Sequence, residues 1–311
     1  IGGAAIDDSG NPFPQETADS CSDSHAVLLG AVGGPKWNDP NLKVRPEQGL
    51  LSLRASLKVF ANLRPVQIFP QLIDASPIKN DRLEDVDIMV VRELTGGIYF
   101  GKKERTPDMA SDLCIYEVDE IKRVIRIAAN IASNRTGKIC SVDKANVLET
   151  SRLWRDITTN LLNNEFPNLN TEHLLVDAAA MHLINRPKDF DVIVTENMFG
   201  DILTDEASML TGSLGMLPSA SIGATSQGLY EPIHGSAPDI AGKGLANPCG
   251  MVLSCALLLR HSLSLEEEAK DIENSVKQAL ENGARTTDIA SANDTPLSTI
   301  EMTSEIIKFI Q

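Results

Sequence analysis

The chain is short of positive charge. It carries 28 Lys and Arg against 43 Asp and Glu, a net charge of −15. That balance excludes nucleic acid and anionic membrane surfaces as partners. Any site for an anionic substrate must therefore gather its few cations locally. Cysteine is sparse: Cys21, Cys114, Cys140, Cys249 and Cys255 are odd in number and scattered, with no C-x-x-C. Reduced thiols in a reducing compartment are expected, not a disulfide framework. No apolar run reaches membrane-spanning length. Repeats and low-complexity tracts are missing, as are the G-x-G-x-x-G and Walker phosphate-binding patterns. The sequence starts at Ile1 with neither Met nor a signal or transit pattern. A cytoplasmic protein is expected, and an organellar targeting segment would have to lie upstream.

What is present suits a sizeable core. Hydrophobic residues make up 42% of 311, enough to fill one large or two medium domains. Apolar spacing predicts strands at 25–30, 87–91, 139–142, 174–176 and 190–195. It predicts helices at 48–63, 117–133, 151–165, 177–184, 246–262 and 265–282. Residues 96–101 read as a turn into a short strand. Alternation of this kind defines an α/β protein.

The most informative stretch is 196–206. It follows an apolar strand and opens a helix on which Asp201 and Asp205 stand four residues apart, on one face. Like charges at that spacing destabilise a helix by a few tenths of a kcal/mol, roughly 0.2–0.5. A divalent cation between them reverses the sign, and hard oxygen donors suit Mg²⁺ or Mn²⁺. The spacing alone equally fits a solvated helix face. Position favours a site, because ligands in α/β folds bind where a strand ends and a helix begins.

Other polar residues fall at predicted element ends: Arg54 and Arg64 flanking the 48–63 helix, Arg92 closing a strand, then Tyr99, Lys144 and Asp177. Guanidinium forks grip carboxylates bidentately, so three arginines suit an anionic substrate. Lys144 beside Asp143 is either a base or an ordinary exposed lysine. A second signal is the loop 234–248, rich in glycine and proline, which can wrap a ligand with backbone amides.

Taken as motifs, VRPEQGLLSLR (44–54), ANLRP (61–65), VRELTGGIYFG (91–101), VDKANVL (142–148), VDAAAMHL (176–183), ENMFGDILTDEAS (196–208), GSLGMLPSAS (212–221) and HGSAPDIAGKGLANP (234–248) resemble the 3-isopropylmalate dehydrogenases. These belong to the isocitrate/isopropylmalate dehydrogenase family of β-decarboxylating dehydrogenases. The resemblance runs over essentially the whole chain. Thr211 departs from it, standing where the family has Pro, and 102–119 diverges. The family's first strand–helix unit, roughly 40 residues long, is expected upstream of Ile1.

The resemblance implies a fold and a chemistry. The fold is two α/β domains sharing a mixed twisted sheet, not a Rossmann fold. The first, on the cofactor side, is discontinuous (1–59 plus 212–311); the second, 60–211, carries metal, substrate and dimer contacts. The implied reaction is NAD-dependent oxidative decarboxylation of (2R,3S)-3-isopropylmalate to 4-methyl-2-oxopentanoate and CO₂, in leucine biosynthesis. Arg54, Arg64 and Arg92 would hold the malate carboxylates, with Asp201 also touching substrate. Asp201 and Asp205, with Asp177 of a second subunit, would bind Mg²⁺ or Mn²⁺. Lys144 of that subunit would take the hydroxyl proton, and Tyr99 would protonate the enol. Glu47, Leu50, Leu51 and the other subunit's Val147 would line the isopropyl pocket. His234, Gly235, Ser236, Ala237, Pro238, Asp239, Ile240 and Asn247 would bind NAD, with Asp239 on the ribose hydroxyls. The working unit would be a homodimer with shared sites.

Rival readings are isocitrate or homoisocitrate dehydrogenase, and tartrate or malate dehydrogenase. A third carboxylate would have to be buried on Leu50 and Leu51, which is costly. A catalytically dead regulatory subunit would have lost a metal Asp, the Lys or the Tyr, and all are present.

Overall fold

The computed structural model describes residues 1–37, 39 and 42–311. In chain order the helices and strands are α1 (Gly2–Ser9), α2 (Gln15–Asp23), β1 (Val27–Leu28), α3 (Pro46–Ser56), β2 (Ala61–Gln67), α4 (Asn80–Leu83), β3 (Asp87–Glu93), β4 (Lys103–Arg105), β5 (Ala110–Asp112) and α5 (Val118–Ser133). Then follow β6 (Lys138–Asp143), α6 (Glu149–Glu165), β7 (Asn170–Leu175), α7 (Val176–Asn185), β8 (Val192–Thr195), α8 (Asn197–Ser208), β9 (Pro218–Ile222), β10 (Leu229–Pro232), α9 (Cys249–His261), α10 (Glu266–Glu281) and α11 (Thr299–Ile307). They form two compact units, Ile1–Val59 with Gly212–Gln311, and Phe60–Thr211.

In the Phe60–Thr211 unit five strands run in the order β2-β3-β8-β6-β7. β3, β8, β6 and β7 are parallel, while β2 pairs antiparallel with β3. β3 and β8 are buried almost throughout, as apolar runs in parallel strands require. Val66, Ile88, Val90, Val142, Ile193 and Leu203 belong to the core on one side of this sheet. α5 buries Ile121, Val124, Ile125, Ala128, Ala129 and Ala132, one stripe at helical spacing. Its start is held by Glu120, whose carboxylate accepts the Glu117 amide at 2.9 Å.

The register of these strands sets the site. Arg92 stands opposite Thr195, Val142 opposite Thr195, and Asp143 opposite Leu175. The carboxyl ends of the four parallel strands therefore share one sheet edge. Because β2 is antiparallel, its beginning reaches the same edge, with Asn62 opposite Arg92.

The other unit holds a three-stranded sheet, β1-β10-β9, with α9 packed on β9 and β10 and α10 packed on α9. Leu29, Leu53, Leu57, Val59 and Leu229 make a small core joining α3 to this sheet. Among the described residues, no helix is long and apolar enough to cross a membrane.

Several sequence expectations need correction. The helix predicted over 48–63 ends at Ser56. Lys58 takes a left-handed backbone, φ 53°, and the chain then enters β2. Seven residues pairing with β3 outweigh the helical spacing, so Arg64 lies on a strand and does not flank a helix. The strand expected within 96–101 is a turn. The nearest strands are β4 and β5, a hairpin in the divergent stretch. The 25–30 strand shrinks to Val27–Leu28, and 174–176 covers the last two residues of the longer strand Asn170–Leu175 and the first residue of α7, Val176. α9 starts only after Pro248, which leads the helix from its N-cap. α1, α2, α4, α11, β9 and β10 had no sequence expectation.

Candidate active site

At the shared edge, α8 follows β8 and carries Asp201 and Asp205. Arg92, 5% exposed, donates from Nη1 to Asp201 Oδ1. Its Nε and Nη2 both reach Asn197 Oδ1, at 3.1 and 2.9 Å. The Asn197 amide cannot flip, because its Nδ2 donates to the Gly96 carbonyl at 3.2 Å. Arg64, also buried, donates to Asn62 Oδ1 at 2.7 Å and to Thr204 Oγ1 at 2.5 Å. It lies 3.5 Å from Asp205 and 3.9 Å from Asp201. Tyr99 donates to Asp201 Oδ2 at 3.0 Å, with the Arg92 guanidinium 5.9 Å from its ring centre. Arg64, Arg92, Tyr99, Asp201 and Asp205 thus converge.

Gly200 is the condition for this arrangement. A Cβ there would stand 2.6 Å from Arg92 Cγ and 2.8 Å from its Cβ. The bare helix surface lets the Arg92 stem pass across α8.

Burial and charge tune the groups. Burial, then the nearby Asp201 carboxylate, raises the Tyr99 phenol above its ordinary value. Tyr99 therefore stays protonated at neutral pH, the form needed to give up a proton. Beneath it, buried Glu93 accepts the Thr95 amide at 2.7 Å and the Gly96 amide at 2.8 Å. Its carboxyl is pushed up by burial. The Tyr116 ring fills the space where side chains at Gly96 and Gly97 would sit, and its hydroxyl accepts the Asn197 amide at 2.9 Å.

Lys144 and Asp177 form a second group, at the ends of β6 and β7. Lys144 Nζ donates to Asp177, and that bond holds the Asp177 carboxyl below the usual range. Among the described residues no three acidic, His or Cys side chains gather to hold a metal. Asp177 does not join Asp201 and Asp205 within the chain. The pair offers hard oxygen donors, with Asp205 largely exposed, so it fits a divalent cation whose other ligands come from elsewhere.

In the other unit, Arg54 in the last turn of α3 donates to Glu231 at 2.8 Å. Glu47 is exposed in the first turn of the same helix. Leu50 packs half-buried against the α3 core, whereas Leu51 is 42% exposed. The 234–248 loop runs exposed from Gly235 to Asp239, with Ala237 at φ 39°. Asn247 anchors its far end, donating to Asp288 at 3.1 Å and accepting the Cys249 amide at 2.9 Å. A Cβ on Gly235 would meet nothing within 4 Å, so the loop borders open space a dinucleotide could fill.

Sequence reasoning missed Asn62, Glu93, Tyr116, Asn197, Thr204 and Glu231. Asn62, Glu93, Asn197 and Thr204 left a trace as members of the quoted motifs, without a role attached, whereas Tyr116 and Glu231 left none.

Fold and site together define an α/β enzyme architecture in which arginines and paired aspartates meet at a sheet edge, fitted to a metal-chelated carboxylate. The chain belongs to the isocitrate/isopropylmalate dehydrogenase family, whose model matches residues 1–306. It is 55% identical to the 3-isopropylmalate dehydrogenase of Rhodopirellula baltica, covering 99% of this chain and 87% of that protein. The Bacillus subtilis 3-isopropylmalate dehydrogenase is likewise 55% identical, covering 98% and 85%. Among solved structures, isocitrate dehydrogenase from Methylococcus capsulatus superposes with a TM-score of 0.88 at 33% identity, covering 100% of this chain and 88% of that one. A β-decarboxylating dehydrogenase from Thermococcus kodakarensis gives 0.80 at 33% identity, covering 99% and 85%.

Proposed function

We propose that the chain is a 3-isopropylmalate dehydrogenase of leucine biosynthesis, decarboxylating 3-isopropylmalate oxidatively to 4-methyl-2-oxopentanoate and CO₂. The convergence of Arg64, Arg92, Tyr99, Asp201 and Asp205 carries this reading, in a chain 55% identical to proteins of that name. The enzyme is NAD-linked and cytoplasmic in this reading.

Arg64 and Arg92 orient the malate carboxylates, joined by Arg54. Asp201 and Asp205 hold Mg²⁺ or Mn²⁺, with Asp177 of a second subunit. When bound, the cation would supply Lewis-acid chemistry at the C2 oxygen and NAD would supply a hydride acceptor. Lys144 of the second subunit, in its neutral amine form, accepts the hydroxyl proton, with Asp177 beside it to keep the amine in place. Tyr99 returns a proton to the enol carbon, and burial beside Asp201 keeps its phenol protonated at neutral pH. Leu51, with Leu50, Glu47 and Val147 of the second subunit, faces the isopropyl group. His234 to Ile240 and Asn247 hold the adenosine half of NAD, Asp239 accepting from the ribose hydroxyls.

A homodimer is supported by the surface of the Phe60–Thr211 unit. Val147 is 62% exposed and Met181 63%, and Leu148, Ile184 and Ile202 are exposed as well. Such apolar residues beside Lys144 and Asp177 suit burial against a second copy.

The test is NADH formation with Mn²⁺ and equal concentrations of 3-isopropylmalate, isocitrate or malate. Isopropylmalate should be strongly preferred, and EDTA should abolish turnover. Preference for isocitrate would overturn the substrate assignment.

A further inference from the structure

The first turn of α6 and the start of α8 are joined by one buried bond. Ser151 Oγ donates to Glu196 Oε1, with Ser151 wholly buried and Glu196 4% exposed. Glu196 is the N-cap of α8, five residues before Asp201. Ser151 is the third residue of α6, just after the turn that carries Lys144 and Val147. That turn is closed by the Val147 and Leu148 amides donating to the Lys144 carbonyl, each at 3.0 Å. Its other anchor is Asp143, which accepts the Ala145 amide at 2.9 Å and a two-pronged bond from Arg155 at 2.8 and 2.9 Å.

We propose that Ser151 and Glu196 are positioning residues: their bond fixes the Lys144 turn to α8 of its own chain, and so holds the amine where the site of the second subunit needs it. The inference rests on the functional reading above. Neither side chain reaches the open edge, so neither touches substrate. Arg155 and Asp143 lock the turn to β6; among the described residues, Ser151–Glu196 is the side-chain bond that locks it to α8. Without that strut, α6 and α8 remain in place through their apolar faces, yet the turn is free to shift. A shift of that kind affects turnover more than binding, because proton abstraction needs the amine within hydrogen-bond reach of the hydroxyl. Glu196 sits in an acidic setting: Asp143 with its Arg155, Glu93, the Tyr116 phenol and the Cys114 thiol all lie near it. Holding a carboxyl there is costly, and burial among these groups raises it to about 7. The cost is accounted for if the carboxyl is needed as an acceptor.

Full-length enzyme with Ser151→Ala, Glu196→Gln and both changes tests the proposal. Ser151→Ala should lower kcat by about tenfold or more, the scale expected when a catalytic group moves by a fraction of about 1 Å. KM for isopropylmalate and NAD should change less than about twofold, since no binding contact is removed. Glu196→Gln keeps a carbonyl acceptor and should lose far less. The double variant should be no slower than Ser151→Ala alone, because both changes act on one bond. Ser151→Cys, close in size with a weaker donor, should fall between wild type and Ser151→Ala and serves if the alanine variant folds poorly. Unchanged kcat in a folded Ser151 variant, or losses that add, would overturn the inference. If wild-type protein fails to oxidise isopropylmalate, the functional reading fails instead, and the two failures are distinct.

Discussion

Asn197 holds Arg92 with a single oxygen. Oδ1 accepts from both Nε and Nη2, while the amide nitrogen is committed to the Gly96 carbonyl. The guanidinium is thereby turned so that Nη1 faces Asp201. Asn197→Ala leaves two buried donors without that acceptor, at about 1–3 kcal/mol. Steady-state kinetics should show kcat/KM for isopropylmalate reduced by about tenfold to a hundredfold, on the same scale. A variant with wild-type kcat/KM would show that Arg92 needs no such orientation.

Arg92 and Lys144 should complement each other across a dimer. Arg92→Ala and Lys144→Ala homodimers should each be inactive. In a heterodimer of the two, one site carries both defects and the other neither. Activity should therefore reappear after subunit exchange. A dead mixture in which native mass spectrometry finds heterodimers would place the whole site within one chain.

Coenzyme choice should follow Asp239. In the proposed reading its carboxylate would repel a 2′-phosphate and accept from the free ribose hydroxyl. Asp239→Lys with Ile240→Tyr should shift the ratio of kcat/KM values toward NADP. Equal use of both coenzymes by the wild type would remove Asp239 from the ribose.

The two leucines of α3 should separate. Leu51 is exposed and Leu50 is half-buried with part of its side chain against the α3 core, so their polar substitutions have different effects. Leu51→Ser should lower kcat/KM for isopropylmalate more than for malate, by roughly tenfold, the value of one or two lost methylenes. Its melting temperature should barely move. Leu50→Ser should lower the melting temperature. Equal kinetic losses on both substrates in Leu51→Ser would take Leu51 out of the pocket.

Glu196 makes stability depend on pH. Its folded carboxyl titrates near 7, raised by burial, above an unfolded Glu. The folded protein thus keeps a proton that the unfolded chain has released. The stabilisation is complete below the unfolded value and disappears as pH rises through 7, on the order of 3 kcal/mol in all. Glu196→Gln carries no such proton. Its melting temperature relative to wild type should rise between about pH 5 and pH 8. A constant difference across that range would mean that Glu196 is ionised throughout.

The parts of the site legible in the sequence were those set by local pattern. Asp201 and Asp205 follow an apolar strand and repeat at helical spacing, and Arg92 closes a short apolar run. Arg64 was harder. Residues 48–63 carry helical spacing, and only pairing with β3, distant in sequence, makes the second half a strand. The roles of Asn197 and Tyr116 were invisible for a related reason. Each earns its role through a buried contact with a segment far along the chain, and no spacing rule encodes that. Lys144 and Asp177 were legible as polar residues at element ends, but their ion pair depends on β6 and β7 lying side by side.

Gly200 has a consequence for reading other sequences. The Arg92 stem occupies the volume that any side chain there would need. One added methyl, far too small to disturb the folding of α8, would push the arginine out of line. Among proteins that share this helix, an alanine at that place would mark a lineage that has given up its grip on the carboxylate, even with every charged residue still in position.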